Sequence, residues 1–405
     1  MRVLWLKSDY IVPPDTGGKI RTFNLLRGIN ALCPVTYASL KPANTPNDEP
    51  AMRECASEIF TVYRPEENKS GYGLYARALT GTLSSAPYIA QKYRCRELRD
   101  FQARFSAKHN DAVIVCDFLE MTENVNWNTP APKILFQHNV ETMIWRRYHE
   151  NERNPLKKAY FNYEAKRMAA YESDSCNRFD RVFVVSECDA RTLRDEFGVR
   201  RPIDIIETGV DADFFSPRRD ATPIPGKLVF TGSMDWMPNI DGIIWFVEEV
   251  YPLIRRESPQ VTLDIVGRRP TPFVRALAER DSSITVTGDV PDVRPYLAQG
   301  HIVIVPLRVG GGTRLKIYEA MAMGRPVLST TIGAEGLPLT AGHDILIADT
   351  PAEFAREVNS ALRSPDTLDT VARAGYHTVT ERYRWPAIAR RMLTILTDTL
   401  SANRN

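Results

Sequence analysis

Short apolar runs separated by longer amphipathic ones recur along almost the whole chain, and few folds can use that rhythm. In the first half they are RVLWLKS (2–8), VTYASL (35–40), EIFTVY (58–63), DAVIVCD (111–117), KILFQHN (133–139), RVFVVSE (181–187) and IDIIETG (203–209). Near-continuous Val, Ile and Leu without polar alternation marks strands covered on both faces, hence a parallel sheet whose crossovers are the intervening helices. The series stops at FFSPRRDATPIPGK (214–227), then restarts as LVFTGS, VTLDIVG, ITVTGDV, HIVIVPL, PVLSTT and DILIADT. Proline continues neither kind of element, so 214–227 reads as a linker. The expectation is an α/β chain of two doubly wound, Rossmann-like domains, with ligands in the cleft where strand ends face each other.

A chain of 405 residues exceeds what one core serves, which suits domains at 1–213 and 214–383. The remainder, 384–405, carries Trp385, Ile388, Ala389, Met392, Leu393, Leu396 and Leu400 at helical spacing, a stripe that must be buried on something. Lys and Arg (52) nearly cancel Asp and Glu (50), so no global charge draws the chain to nucleic acid. Cys33, Cys55, Cys95, Cys116, Cys176 and Cys188 form no CxxC pair and read as reduced core thiols of a cytoplasmic protein. The opening MRVLWLKSDYIVPPD has no long apolar run, and nothing later reaches the ~18 apolar residues of a membrane span. A soluble protein, or one attached at most to a membrane surface, is expected.

The segment HIVIVPLRVGGGTRLKIYEAMAMGRP (301–326) runs strand, loop, helix, and Gly324 with Pro326 ends the helix. Gly310, Gly311 and Gly312 lack Cβ atoms, so a ligand could touch bare backbone whose N–H groups and helix dipole favour an anion. Thr313 follows them, and Arg314 and Lys316 add positive charge, the first as a planar fork and the second as a mobile point charge. Glu319 lies six residues beyond Thr313, about 9 Å of helical rise, where a carboxylate meets hydroxyls rather than phosphates. A diphosphate followed by a ribose has that layout. A plain glycine turn with a solvated Arg and Lys is the alternative. Neither GxGxxG nor a Walker loop occurs.

GGGTRLKIYEAMAMGRPVLST followed by GAEGL resembles the nucleotide-sugar site of retaining GT-B glycosyltransferases, the large family four. PPDTGGKIRTFNLL, FVVSECDARTL, TGVDADFFSP, TGSMDWMPNIDGIIWF and RYRWPAIARRML resemble further segments of that family in the same order. The resemblance implies a donor site at Gly17, Gly18, Gly232, Ser233, Asp289, Val290, Gly311, Gly312, Thr313, Arg314, Lys316 and Glu319. It also implies a His138 that meets the sugar or acceptor, and a last helix that crosses back to the first domain. His138, Arg314, Lys316 and Glu319 are then the catalytic set. The implied reaction moves a hexose-type sugar from a nucleoside-diphosphate donor to a glycan or lipid-linked acceptor, retaining configuration and using no metal. Such a reaction suits cell-surface or exopolysaccharide synthesis. Two departures stand out. The family's first Glu is Gly311 here, and its Arg and Lys after the first donor-domain strand are replaced by GSMDWMPN, so Arg314 and Lys316 become the candidates for holding the diphosphate.

A nucleotide-sugar epimerase of the same fold, or a non-catalytic sugar-nucleotide-binding protein, are the alternatives. His138 with Glu141 lacks a third metal ligand, and the DAD at 211–213 sits in a linker approach rather than a metal site. Arg268 and Arg269 read as a solvated turn. Aromatics and basic residues interleave in QKYRCRELRDFQARF and WRRYHENERNPLKKAYFNYEAKR, either as solvated helix faces or as a peripheral surface for anionic lipid.

Overall fold

The computed structural model of the chain describes all residues except 15, 43–47, 65–86, 153, 219–220, 310–314 and 404–405. It divides into two compact units, Met1–Glu207 with Trp385–Asn405, and Thr208–Arg384.

In the first unit, β1 (Arg2–Lys7), β2 (Val35–Pro42), β3 (Glu58–Arg64), β4 (Ala112–Asp117), β5 (Lys133–Phe136), β6 (Arg181–Val184) and β7 (Ile203–Ile205) form one sheet. Their order is β3-β2-β1-β4-β5-β6-β7, and every pairing is parallel. Chain order reverses between β1 and β4, which sends the following crossovers to opposite faces and opens a crevice at the carboxyl ends of those two strands. β1 and β4 are covered on both sides: Val3 to Leu6 and Val113 to Cys116 are buried, as unbroken apolar runs require.

The last helix, Trp385–Ala402, belongs to this unit and buries Trp385, Ile388, Ala389, Met392, Leu396 and Leu400. Its partner is helix Gly17–Asn30, where a Cβ on Gly28 would come within 2.5 Å of the Cβ of Ala389. Arg391 of the last helix also pairs with Glu207.

In the second unit, β8 (Lys227–Thr231), β9 (Thr262–Val266), β10 (Ile284–Gly288), β11 (Ile302–Val305), β12 (Val327–Ser329) and β13 (Leu346–Ile347) repeat the plan in the order β10-β9-β8-β11-β12-β13, again parallel. The reversal here lies between β8 and β11. The proline-rich stretch after residue 213 packs within this unit, with the Arg294 guanidinium 3.7 Å from the centre of the Phe214 ring.

Every apolar run named above becomes a strand, but some strands stop short of their run. The β5 ladder closes where Gln137 N donates to Phe183 O at 2.8 Å, so His138 lies beyond the strand rather than ending it. The stretch 237–257 folds as three consecutive helical segments. It passes from helix Met237–Trp245 through a wider π-turn, Phe246–Val250, into helix Tyr251–Glu257, since Pro252 has no N–H to continue the i to i−4 ladder. Thr350 caps helix Pro351–Arg363 in a reciprocal box with Glu353, and Gly324 ends its helix with φ 68°. The cysteines are not uniformly core thiols: none of the six forms a disulfide, but Cys188 is exposed and Cys33 only half-buried.

Candidate functional site

Two groups of polar side chains sit at the carboxyl ends of strands flanking the two reversal points. In the second unit the group is centred on Lys316, the second residue of helix Leu315–Ala322. Its Nζ donates to Asn239 Oδ1 at 2.9 Å and lies 4.3 Å from the centre of the Phe230 ring. Gly232, just past β8, makes room for it: a Cβ there would lie 2.8 Å from Lys316 Nζ and 2.7 Å from Asn239 Nδ2. Asn239 in turn donates to Ser233 O at 2.8 Å. Gly267, with φ 150°, lets the loop after β9 press on the same spot, since a Cβ there would overlap the Gly232 carbonyl oxygen. Arg269 is exposed, as a solvated turn requires, whereas Arg268 is half-buried. Arg268 Nε donates to Ser233 Oγ at 3.1 Å, and Arg269 pairs with Asp235 at 3.1 Å.

Glu319 lies on the same helix, one turn beyond Lys316, and is half-buried. Burial pushes its carboxyl up to about 7, against the opposing pull of Lys316. Asp289 and Val290 follow β10, two strands from β8 along the same sheet edge; Asp289 is exposed and Val290 packs on the unit's core. Gly310, Gly311, Gly312, Thr313 and Arg314 lie outside the described residues. The structure therefore gathers Gly232, Ser233 and Lys316, with Glu319 on the same helix, and sets Asp289 and Val290 further along the edge.

The first unit brings together Gly18 and His138. A Cβ on Gly18 would lie 3.3 Å from Phe118 Cζ and 4.0 Å from His138 Nδ1. Gly17 and Gly18 open helix Gly17–Asn30, whose Thr16 cap makes no side-chain hydrogen bond and whose first turn carries no acid. His138 is 2% exposed, and its Nε2 stands 2.7 Å from Asp117 Oδ1. Burial pushes the imidazole down to about 4 despite that carboxylate, so it is uncharged at neutral pH. Phe118, a non-glycine residue at φ 77°, lays its ring 4.1 Å from the His138 ring, with Lys7 Nζ 4.2 Å from its own centre. A positive φ on a bulky residue is costly and is held by its surroundings.

Beneath this lies a residue the sequence reading did not single out. Asp117 is fully buried and accepts three hydrogen bonds at Oδ2: from Trp5 Nε1 at 2.9 Å, Lys7 Nζ at 3.0 Å and Thr22 Oγ1 at 2.7 Å. Burial alone would raise its carboxyl, but Lys7, His138 and Thr22 hold it well below the usual carboxylate range. The available signal was a charged residue closing each of two buried apolar runs, Lys7 after Val3–Leu6 on β1 and Asp117 after Ala112–Cys116 on β4. Asn239 was missed as well, seventy-seven residues from the lysine it holds. Glu141 is no metal ligand in waiting. Burial and the nearby Glu172 and Glu120 push its carboxyl up to about 8, while Glu172 accepts from the Glu141 and Thr142 amides at 2.9 and 3.0 Å and so caps helix Glu141–Asn151.

Comparison with known proteins adds sequence to this geometry. Residues 225–364 match the family model described as glycosyl transferases group 1, and residues 88–214 match that of glycosyltransferase family 4. An uncharacterized 44.6 kDa protein of the cps region of Klebsiella pneumoniae is 24% identical over 62% of this chain and 65% of its own length. D-inositol 3-phosphate glycosyltransferase of Mycolicibacterium smegmatis is 29% identical over 52% of this chain and 53% of its own. The chain thus spans less than two thirds of the curated relatives it matches. Sucrose-phosphate synthase from Thermosynechococcus elongatus shares the fold at a TM-score of 0.71 and 17% identity, covering 99% of both chains. Anabaena HepE in complex with UDP does so at 0.67 and 13%, covering 98% of this chain and all of its own. Two parallel-sheet, Rossmann-like units, each carrying a match to a glycosyltransferase family model, give the chain the fold of GT-B glycosyltransferase structures.

Proposed function

We propose that the protein transfers a sugar from a nucleoside-diphosphate sugar to a glycan or lipid-linked acceptor in the cytoplasm, with retention of anomeric configuration and without a metal, in the making of a surface polysaccharide. One observation carries the reading: the Lys316 ammonium is held by Asn239 against bare Gly232, at the reversal point of the second sheet. A fixed cation beside exposed main chain is what a departing diphosphate needs, because negative charge grows on it as the bond from C1 to the phosphate oxygen breaks. The acceptor oxygen forms the new bond to C1, and its proton passes to the departing phosphate. Glu319, one turn on, suits the ribose hydroxyls. His138 is uncharged and therefore fits a hydrogen-bonding role toward the sugar or acceptor better than a charged one. The relative from the cps region supports a polysaccharide role, and the UDP bound to Anabaena HepE makes UDP-sugars the first donors to try.

Calorimetry with UDP-, GDP-, ADP- and dTDP-sugars identifies the donor before any acceptor is known. With that donor, Lys316→Ala is expected to lower kcat/KM by about 30- to 1,000-fold, which corresponds to ~2–4 kcal/mol of transition-state stabilisation. Wild-type turnover is expected to persist in chelator. Near-normal turnover in the variant overturns the assignment of Lys316.

A further inference from the structure

We infer that the helical hairpin of the first unit, helices Glu141–Asn151 and Pro155–Arg178, docks the protein on an anionic membrane surface. Its tip displays what a solvated face hides: Leu156 is 83% exposed, Tyr148 55% and Tyr163 46%. The aromatics behind it form a connected plate, with Phe161 placed 5.6 Å from Tyr148, 5.9 Å from Tyr160 and 6.2 Å from Trp145 between ring centres. Tyr and Trp are the side chains that settle at a lipid–water boundary, where one end is apolar and the other wet.

Charge decides which partner fits. Lys157, Lys158 and Lys166 are exposed on the hairpin, and Glu150 is the exposed acid among its described residues up to Lys166. Arg146 is engaged by Glu196 at 2.5 Å, and the buried Glu164 is matched by Arg167 at 2.7 Å. The surplus is therefore positive and lies beside Leu156 itself. A protein interface keeps charge to the rim of an apolar patch. Apolar groups and lysines sharing one surface instead match the boundary between acyl chains and anionic headgroups, with lysine stems lying along the apolar part. No helix of the described residues is long and apolar enough to span a membrane, so the contact is peripheral. The hairpin starts three residues after His138. Given the transferase reading, docking there would bring the first unit's site to the surface that carries a lipid-linked acceptor.

The test is co-sedimentation of the full chain with phosphatidylcholine vesicles, with and without about 30 mol% phosphatidylglycerol. Binding is expected only to the anionic vesicles and is expected to weaken in high salt. Leu156→Glu, and Lys157→Glu combined with Lys158→Glu, should each cut partitioning by roughly tenfold or more. Lys108→Glu, on another exposed helix of the same unit, should leave it unchanged. Equal binding to neutral vesicles, no binding at all, or variants that bind like the wild type overturn the inference. So does a dimer that Leu156→Glu dissociates while vesicles go unbound. Donor calorimetry on the same variants separates the two proposals: it should be unaffected, and failure of the wild type to bind any nucleotide sugar would remove the transferase reading without touching the vesicle result.

Discussion

Asp117 sets up an energetic tension at the scale of one residue. A fully buried carboxylate is tolerated only because Trp5, Lys7 and Thr22 all donate to one of its oxygens. Removing it would strand Lys7, itself 1% exposed. Asp117→Ala should therefore cost about 3–5 kcal/mol in urea denaturation, and a loss below about 1 kcal/mol would mean that Lys7 finds another partner. Replacing both, Asp117→Leu with Lys7→Met, should recover much of that stability, because apolar pairs of similar volume often match a buried ion pair. Recovered stability without recovered turnover would show that the pair is kept for the position of His138. Glu319 presents the opposite case. Its carboxyl rises from 4.5 to about 7 on folding, so the folded chain holds a proton that the unfolded chain has lost between those values. Its contribution to stability is full below about 4.5, declines as the pH climbs to about 7 and stays low above. Glu319→Gln should thus raise the melting temperature at pH 8, by the equivalent of about 1–3 kcal/mol, and leave it nearly unchanged at pH 4.5. An equal shift at both pH values would rule out this titration as the cause.

At the scale of elements, the contact between helices Gly17–Asn30 and Trp385–Ala402 turns on Gly28. A methyl there meets the Ala389 methyl at 2.5 Å, so Gly28→Ala should force the helices apart and cost about 1–3 kcal/mol. Adding Ala389→Gly should restore the fit. The helix-propensity changes at the two sites are opposite and about 1 kcal/mol each, so a double-mutant cycle isolates the contact. Additive losses would mean the helices meet elsewhere. The same pair shows what could be read from sequence. The apolar stripe on 385–402 announced a buried helix, and the apolar runs announced strands, because burial on one or both faces writes its period locally. The ends of elements did not, since they depend on partners: β5 stops at Phe136 because that is where its pairing to β6 stops. The glycines at 18 and 232 could be noticed as permissive backbone. What each makes room for, the ring of Phe118 or the ammonium of Lys316, comes from residues about a hundred positions away and leaves no local trace.

At the scale of the whole molecule, the chain passes from one unit to the other after Glu207 and returns after Arg384. The second unit is therefore one continuous segment, and its two ends are fastened to each other: Val210 N donates to Tyr383 O at 2.7 Å, Val210 bridges Arg384, and Arg384 pairs with Asp213. Cutting the chain at both crossings leaves that unit closed. The first unit lacks this independence. Its last helix contributes Trp385, Ile388, Met392, Leu396 and Leu400 to the core, at about 1.5–3 kcal/mol each, a sum comparable with the roughly 5–15 kcal/mol that stabilises a whole domain. A fragment of residues 208–384 should accordingly unfold cooperatively on heating and still bind the donor, since Gly232, Asn239, Lys316 and Glu319 all lie within it. Residues 1–207 alone should show no cooperative transition until a peptide of residues 385–405 is added in trans. A stably folded 1–207 fragment would mean that helix Gly17–Asn30 can close its own face. A folded 208–384 fragment blind to every nucleotide sugar would place the donor determinants outside the second unit.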